Sequence, residues 1–463
     1  VPYWQIQLIG SVNKNVIEAW HKKDKFWDKK EAEKVLANTK GKNAFVSDVK
    51  KSRFKQAPPT PFDLTTLQLE AYRVFKINPK QTLEIAQNLY LAGLISYPRT
   101  SSQQLPESLN YGKIIKNLAK QKTYAGLCNE LLKGKLKPNN GKKIDPAHPA
   151  IHPTGEQGNL SDRDAKIYDL VVRRTLASFY IDSVRETVEL NIDVNKEIFI
   201  TKGTRTVEEG WHKFYKPYVM LEEQTIPHVE KGTKVEVKEI KLHNKETQPP
   251  KRYTPASLIR ELEKENLGTK ATRSEIIDTL YQRNYIKNES IEATELGIKT
   301  VETLEKYIPE IVDEKLTRHF EKDMDAIQKG KKKKEQVLNE AKEVLTKILD
   351  KFKKKEKEIG KALIEATDIT KRELNFIGKC PVCKEGNLRV LFSRKSNKKF
   401  VACDKYPDCK TTYSLPEGKI LATKKVCQYC NTPIIKVVRS GKRPFEMCLT
   451  YDCKSKESWK NNK

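Results

Sequence analysis

Eight of the nine cysteines lie after residue 379, in two copies of one spacing. Cys380 and Cys383 form a C-x2-C knuckle, followed after nineteen residues by Cys403 and Cys409 as C-x5-C. Cys427 and Cys430 repeat the knuckle, followed after seventeen residues by Cys448 and Cys453 as C-x4-C. Two knuckles that bring four thiolates to one tetrahedral ion describe a zinc ribbon. Sulfur fills every position of each set, so no coordination site stays open for a substrate, and the expectation is two structural Zn2+ sites. Clustered pairs in a chain without a secretory leader favour metal over disulfides. The segments between the knuckles read as paired strands. They carry cations beside aromatics: Arg394, Lys395, Lys398, Lys399 and Phe400 in one, Arg439, Lys442, Arg443 and Phe445 in the other. That combination suits single-stranded nucleic acid, where charge tracks the backbone and rings stack on bases.

The charge balance names the same class of partner. Lys and Arg number 89 against 61 Asp and Glu, a net charge of +28, which attracts polyanions in a salt-dependent way. With 37% hydrophobic residues the chain buries real cores. No window approaches the roughly 18 apolar residues of a membrane span, so no membrane partner is expected. The opening "VPYWQIQLIG" lacks a basic region followed by an apolar stretch, so the expected compartment is the cytoplasm, in association with nucleic acid. "YWQIQLI" reads as a strand already under way, so sequence is expected upstream of it.

Along the chain, residues 1–57 alternate strand-like runs with charged connections, and the Pro-rich "QAPPTPFDL" marks a boundary. Residues 58–160 read as helical. Asn78 is a plausible N-cap, Pro79 occupies the first helical position and Gln81 completes a capping-box pattern. Leu83, Ala86, Leu89 and Tyr90 make an apolar stripe, and Gly93 is placed to end the helix in the left-handed conformation. Residues 161–250 begin with a helical run and return to strands. Within 251–370, Tyr253 to Ile286 reads as two amphipathic helices around a glycine-containing turn, a helix-turn-helix or winged-helix-like pattern. A further helix spans Glu335 to Phe352 with a stripe of Leu338, Ala341, Leu345, Ile348 and Phe352. The basic run Lys331 to Lys334 before it reads as a solvated entry. The ribbons occupy 371–418 and 419–463.

Two short stretches suggest chemistry. In "LISYPRTSSQ", Tyr97 lies just past a helix end, extended because proline follows it. A tyrosine oxygen that attacks phosphorus stores the bond energy of a phosphodiester, provided nearby cations favour the phenolate. Arg99 shares a side with Tyr97 in extended chain, and Thr100, Ser101 and Ser102 offer hydroxyls or a helix cap. Taken alone the stretch is a weak signal and favours a turn tyrosine whose hydroxyl meets a backbone group. In "DPAHPAIHPTGE", Pro146, Pro149 and Pro153 forbid the regular helix that would make His148 and His152 a metal pair. A rigid loop presenting a histidine to phosphate and a structural loop stay equally open.

The stretches "PPTPFDLTTLQLEAYRVF" with "TLEIAQNLYLAGLISYPRTSS", then "DPAHPAIHPT", then "RYTPASLIRELEKENLGTKATRSEIIDTLYQRNYI" resemble the type IA DNA topoisomerases in order and spacing. The wording "AHPAIHPT" and the Ser-Ser after "YPRT" resemble archaeal members. The resemblance covers about residues 1 to 350, and the ribbons suit the family's C-terminal region. It implies a multidomain α+β fold: a β-rich arch, helical winged-helix-like domains that carry the tyrosine, and two terminal zinc ribbons. The implied activity is ATP-independent relaxation of negatively supercoiled DNA, acting on single-stranded segments. Tyr97 would form a 5′-phosphotyrosine, Arg99 would stabilise the scissile phosphate, and His148 would contact phosphate and assist proton handling. Thr272 in "GTKAT" would bind the DNA backbone, with Lys270, Arg273 and Thr100 as further DNA contacts. Many members carry Asp where this chain has Ser101, and Glu and Arg where it has Pro149 and His152, which marks a subfamily.

The family's Toprim domain, whose glutamate and D-x-D cluster bind Mg2+, has no counterpart in these residues. Asp323 and Asp325 in "KDMDAIQKG" form such a pair, but they lie on an amphipathic helical segment and are not read as a metal site. The expectation is a fragment or split-gene subunit that needs a separate Toprim-bearing polypeptide and its Mg2+. Two further readings are the topoisomerase portion of a reverse gyrase and a non-catalytic remnant that binds single-stranded DNA.

Overall fold

The computed structural model describes residues 1–439 and 442–457. The chain divides into two compact units, Val1–Asp278 and Thr279–Lys463, so the expected 251–370 segment is shared between them. Among the described residues, no helix is long and apolar enough to cross a membrane.

In the first unit, β1 (Pro2–Val12), β2 (Asn15–His21), β3 (Ala44–Gln56), β4 (Ser183–Val194), β5 (Glu197–Glu208) and β6 (Lys234–Glu246) close into a barrel, in the order β1-β2-β5-β4-β3-β6. Every neighbouring pair is antiparallel. Period-two alternation sends Ile6 and Leu8 into the core with Val46, Leu190, Ile192 and Phe199. The alternate side chains Gln5 and Gln7 bond to Asp24 and Glu18 instead. The β1–β2 and β4–β5 turns place Asn13 and Lys14, and Asn195 and Lys196, all at positive φ, the hairpin geometry whose twist matches its strands. Helix α1 (Lys29–Thr39) packs against β1 and β6.

The barrel is built from two stretches of chain. Gln56 pairs with Ser183, and everything between them is an insertion that leaves and returns at one edge. It contains α2 (Leu64–Phe75), α3 (Pro79–Leu91), α4 (Tyr111–Leu118), α5 (Ala125–Leu131) and α6 (Asp162–Ser178). Leu67, Ala86, Leu89, Leu118, Cys128, Leu170, Val171 and Leu176 meet in its core. The lone Cys128 is therefore a packing residue, and burial pushes its thiol up to about 11. Helix α6 opens the stretch expected to return through the arch, yet its apolar face packs into the helical core, and strand begins only at Ser183. Helix α7 (His212–Tyr215) joins the same core through Phe214 and Tyr215. Helix α8 (Pro255–Lys264) packs on α2, and a turn over residues 265–272 leads to α9 (Arg273–Gln282). The expected helix–turn–helix is present.

In the second unit a short hairpin, β7 (Ile286–Lys287) and β8 (Glu292–Ala293), precedes α10 (Glu295–Tyr307), α11 (Pro309–Val312), α12 (Glu314–Gln328) and α13 (Lys334–Leu374). Helix α13 has 41 residues, roughly 60 Å at 1.5 Å per residue, and runs well past the expected end at Phe352. Its expected stripe needs correction. Leu338 and Leu345 are 46% and 54% exposed, while Val337 is buried and Val344 packs against the core of Ile308, Ile348 and Ile359. Apolar residues are adjacent at 337/338 and 344/345, one residue is about 100° of rotation, and periodicity alone did not choose between them.

The terminal region forms two small sheets. One holds β9 (Phe376–Lys379), β10 (Asn387–Ser393), β11 (Lys398–Cys403) and β12 (Thr412–Ser414) in the order β12-β11-β10-β9. The other holds β13 (Lys419–Val426), β14 (Pro433–Val438) and β15 (Phe445–Cys448) in sequence order. They are not independent modules, because Ile377, Leu388 and Val401 from the first share a core with Ile435, Val437 and Leu449 from the second.

Candidate active site and zinc centres

Local chemistry at the end of α3 delivers Tyr97. The Asn78 side chain accepts from the Gln81 amide at 2.9 Å and caps the start of the helix. Gln81 itself is exposed, and the reciprocal half of the expected capping box is not made. At the other end Gly93 has φ +72°, its N–H donates to Tyr90 O, and Leu94 N–H donates to Leu89 O. This is a Schellman termination, and the chain leaves it extended.

The extended segment is then sewn to the histidine loop. Ile95 bridges to Pro153, Ser96 N–H donates to His152 O at 2.8 Å, and His152 N–H donates back to Ser96 Oγ at 3.0 Å. Thr100 Oγ1 donates to His148 O at 3.1 Å, and Ala150 N–H donates to Gln104 O at 2.9 Å. Along this stretch Pro98 and Thr100 are buried, whereas Tyr97 and Arg99 are half-buried, the alternation expected of extended chain.

The pairing brings the expected tyrosine and histidine together. The Tyr97 and His148 rings lie 4.5 Å apart between centroids, tilted by 47°, and Tyr90 meets Tyr97 edge-on at 5.3 Å. Among the described residues, neither the Tyr97 hydroxyl, the Arg99 guanidinium nor the His148 ring has a hydrogen-bond or ion-pair partner within the chain. A phenol and an imidazole thus meet in one half-buried patch with their polar atoms uncommitted, and the half-buried Arg99, two residues on, is likewise without a partner among the described residues.

The other expected site residues serve differently. Thr100 is fully buried and its hydroxyl fastens the histidine loop, so it presents nothing to a DNA strand. His152 is buried, its Nδ1–H donates to Ala150 O at 2.8 Å, and burial pushes its pKa down, so it stays neutral. Lys270 donates from Nζ to Asp145 Oδ2. Arg273 Nε donates to Leu267 O at 3.1 Å. Thr272 is exposed at the head of α9, where its Oγ1 accepts from Thr269 N–H at 2.9 Å.

Sequence reasoning overlooked Asp145. It is buried, and it accepts from Ser101 N–H at 3.1 Å, Ser101 Oγ at 3.2 Å, Ala147 N–H at 3.0 Å and Lys270. Burial alone would raise its pKa, but the Lys270 ammonium and the two backbone N–H groups outweigh that and hold the carboxyl far below its usual range. The bond to Ala147, two residues on, is an Asx turn, and the Asp-Pro dipeptide was the signal for it. A second ion cluster lies close in the same fabric. Lys143 Nζ reaches Asp63 Oδ2 at 3.2 Å and Glu263 Oε1 at 2.6 Å, joining the N-cap of α2 to α8.

Both cysteine sets assemble. Sulfur atoms approach at 3.8 Å (Cys380–Cys409) and 3.7 Å (Cys383–Cys403) in one, and at 3.5 Å (Cys427–Cys453) and 3.2 Å (Cys430–Cys448) in the other. Tetrahedral Zn–S bonds of about 2.3 Å place sulfurs roughly 3.8 Å apart, so each set fits one zinc ion. Among the described residues, the third group of close metal-ligand types is His319, Asp323 and Glu340. Lys332 Nζ sits 2.7 Å from both Asp323 oxygens, so an ammonium already neutralises the one buried carboxylate there and the group does not fit Mg2+.

Residues 1–339 match the family model described as DNA topoisomerase, and residues 377–418 match the one described as topoisomerase DNA binding C4 zinc finger. DNA topoisomerase 1 of Pyrococcus horikoshii is 46% identical over 99% of this chain and 67% of its own length. DNA topoisomerase 1 of Methanocaldococcus jannaschii is 47% identical over 98% of this chain and 59% of its own. DNA topoisomerase 3-alpha of Mus musculus is 30% identical over 84% of this chain and 40% of its own. The chain thus spans two thirds or less of these relatives. Full-length topoisomerase I from Thermotoga maritima aligns with a TM-score of 0.58 at 24% identity, covering 96% of this chain and 68% of that one, a likeness of fold.

Proposed function

The chain belongs to the type IA DNA topoisomerase family, and from that premise we propose that it breaks and rejoins one DNA strand through Tyr97. The Tyr97 oxygen attacks a backbone phosphorus of single-stranded DNA and forms a 5′-phosphotyrosine, and the 3′-hydroxyl leaves. Attack by that hydroxyl on the phosphotyrosine restores the strand, and because the bond energy is stored no ATP is consumed. Strand passage between the two steps relaxes negatively supercoiled DNA.

A free phenol has a pKa near 10, so the site must favour the phenolate and offset charge on the phosphoryl oxygens. Arg99 does both from two residues away, and His148 accompanies the phosphate and handles the proton. Thr272 and the ribbons contribute further contacts to the strand. The observation that carries this reading is the ring contact between Tyr97 and His148, with the polar atoms of both, and of Arg99, uncommitted among the described residues. Zinc, held by the two cysteine sets, is structural. Mg2+ and the acids that bind it come from a Toprim-bearing part that these residues do not supply.

The test is covalent trapping. The chain is mixed with a labelled single-stranded oligonucleotide and Mg2+, with and without a separately expressed Toprim polypeptide, and quenched in denaturant. A protein–DNA adduct is expected with Toprim present and is lost in Tyr97→Phe. Tight binding with no adduct under any of these conditions would make the chain a single-strand-binding remnant.

A further inference from the structure

We propose that Asp145 is the positioning residue of this site: one carboxylate that fixes the Tyr97–Arg99 segment, the His148 loop and the α8–α9 turn relative to one another. The proposal rests on the functional reading above for its catalytic consequence, but not for its geometry.

Four donors from three separate stretches converge on this side chain. Ser101 contributes its N–H and hydroxyl, four residues beyond Tyr97. Ala147, the neighbour of His148, contributes its N–H to the other carboxylate oxygen. Lys270 contributes its ammonium from the turn that also carries Thr272. The Asp145 side chain is only 3% exposed and the Lys270 side chain 36%, so the pair is sheltered at the carboxylate and reached from one side.

A carboxylate is the group this position demands. It accepts at every lone pair, whereas a carboxamide must turn an NH2 toward one of these donors. The fold does not need the contact to hold α8, because Lys143 already bridges Asp63 and Glu263 there. What Asp145 adds is registry between the strand-binding turn and the attacking tyrosine. An attacking atom displaced by about 1 Å costs on the order of 100-fold in rate.

Two measurements on the full chain test this. The first needs no DNA: amide hydrogen exchange of Asp145→Asn and Lys270→Met against the parent. Protection is expected to fall in residues 99–104, 145–150 and 265–272 of the Asn variant, with zinc content kept, and in the last two segments of the Met variant. Unchanged protection in these segments would overturn the proposal. If Asp145→Asn does not fold, the Lys270→Met exchange pattern decides alone.

The second measurement separates the adduct rate from the oligonucleotide Kd. Asp145→Asn should slow Tyr97 adduct formation about 100-fold while Kd moves less than about 3-fold. Lys270→Arg should restore most of what Lys270→Met loses. The double variant should be no slower than Asp145→Asn alone, because Lys270 acts through the carboxylate. Losses that multiply would instead make Lys270 an independent DNA contact and overturn the coupling. If the parent chain gives no adduct even with Toprim supplied, the functional reading falls, and the exchange data alone judge Asp145.

Discussion

His148 and His152 stand four residues apart in one loop and have opposite fates. His148 keeps a ring face beside Tyr97, while His152 is sealed among apolar side chains with one bond to Ala150. Burial lowers the His152 pKa, so the unfolded chain binds that proton more readily than the folded one. The stability from keeping it neutral is full above the unfolded value of about 6.5 and is lost as pH falls below it. The thermal midpoint should therefore drop between pH 7.5 and 5.5, and His152→Gln, which retains a donor for Ala150, should show a smaller drop over that window. An equal drop in both proteins would place the titrating group elsewhere. The prolines announced a rigid loop, but which histidine faces inward depends on strand pairing with residues fifty positions away, which no local pattern encodes. The same non-locality hid Asp145, whose partners come from residues 101, 147 and 270. The extended geometry of Tyr97 was legible because the proline that follows sets it.

Among the elements, α3 was read well because its signals are local: Asn78 and Gly93 flank it, and Pro79, Leu83, Ala86 and Leu89 lie within it, although Tyr90, expected in the apolar stripe, is 39% exposed. Gly93 has φ +72° and nothing within 4 Å of where a Cβ would stand, so Gly93→Ala meets no clash and costs only the strain of a left-handed residue. The loss should be about 1 kcal/mol, with Gly93→Asn losing less, as read by denaturant unfolding. Helix α13 was read less well because its face is chosen by tertiary contact. Val337 is buried and Leu338 is 46% exposed, so Val337→Ala should destabilise the second unit by on the order of 2 kcal/mol. Leu338→Ala should stay within about 0.5 kcal/mol of neutral. The reverse ranking would mean that the sequence stripe, with Leu338 inward, was the better description.

For the whole molecule, the β-to-α-to-β succession was visible in hydrophobic period, and the closed barrel follows once Gln56 and Ser183 are seen to pair. Cysteine spacing located both metal centres, since four ligands on two knuckles constrain the chain more tightly than any apolar pattern. Spacing was silent on whether the ribbons are separate. Their shared core, with Leu388 and Val401 against Ile435 and Val437, makes the metals energetically coupled. Small domains of this kind gain much of their folding free energy from the ion, so losing one zinc exposes apolar surface that the other sheet uses. Cys403→Ser disables the first site only. It should lower bound zinc by more than one equivalent at limiting metal, and it should make the second ribbon more sensitive to protease. If zinc content falls by one equivalent and the second ribbon stays as resistant as in the parent, the two sheets fold independently and their common core is only a contact.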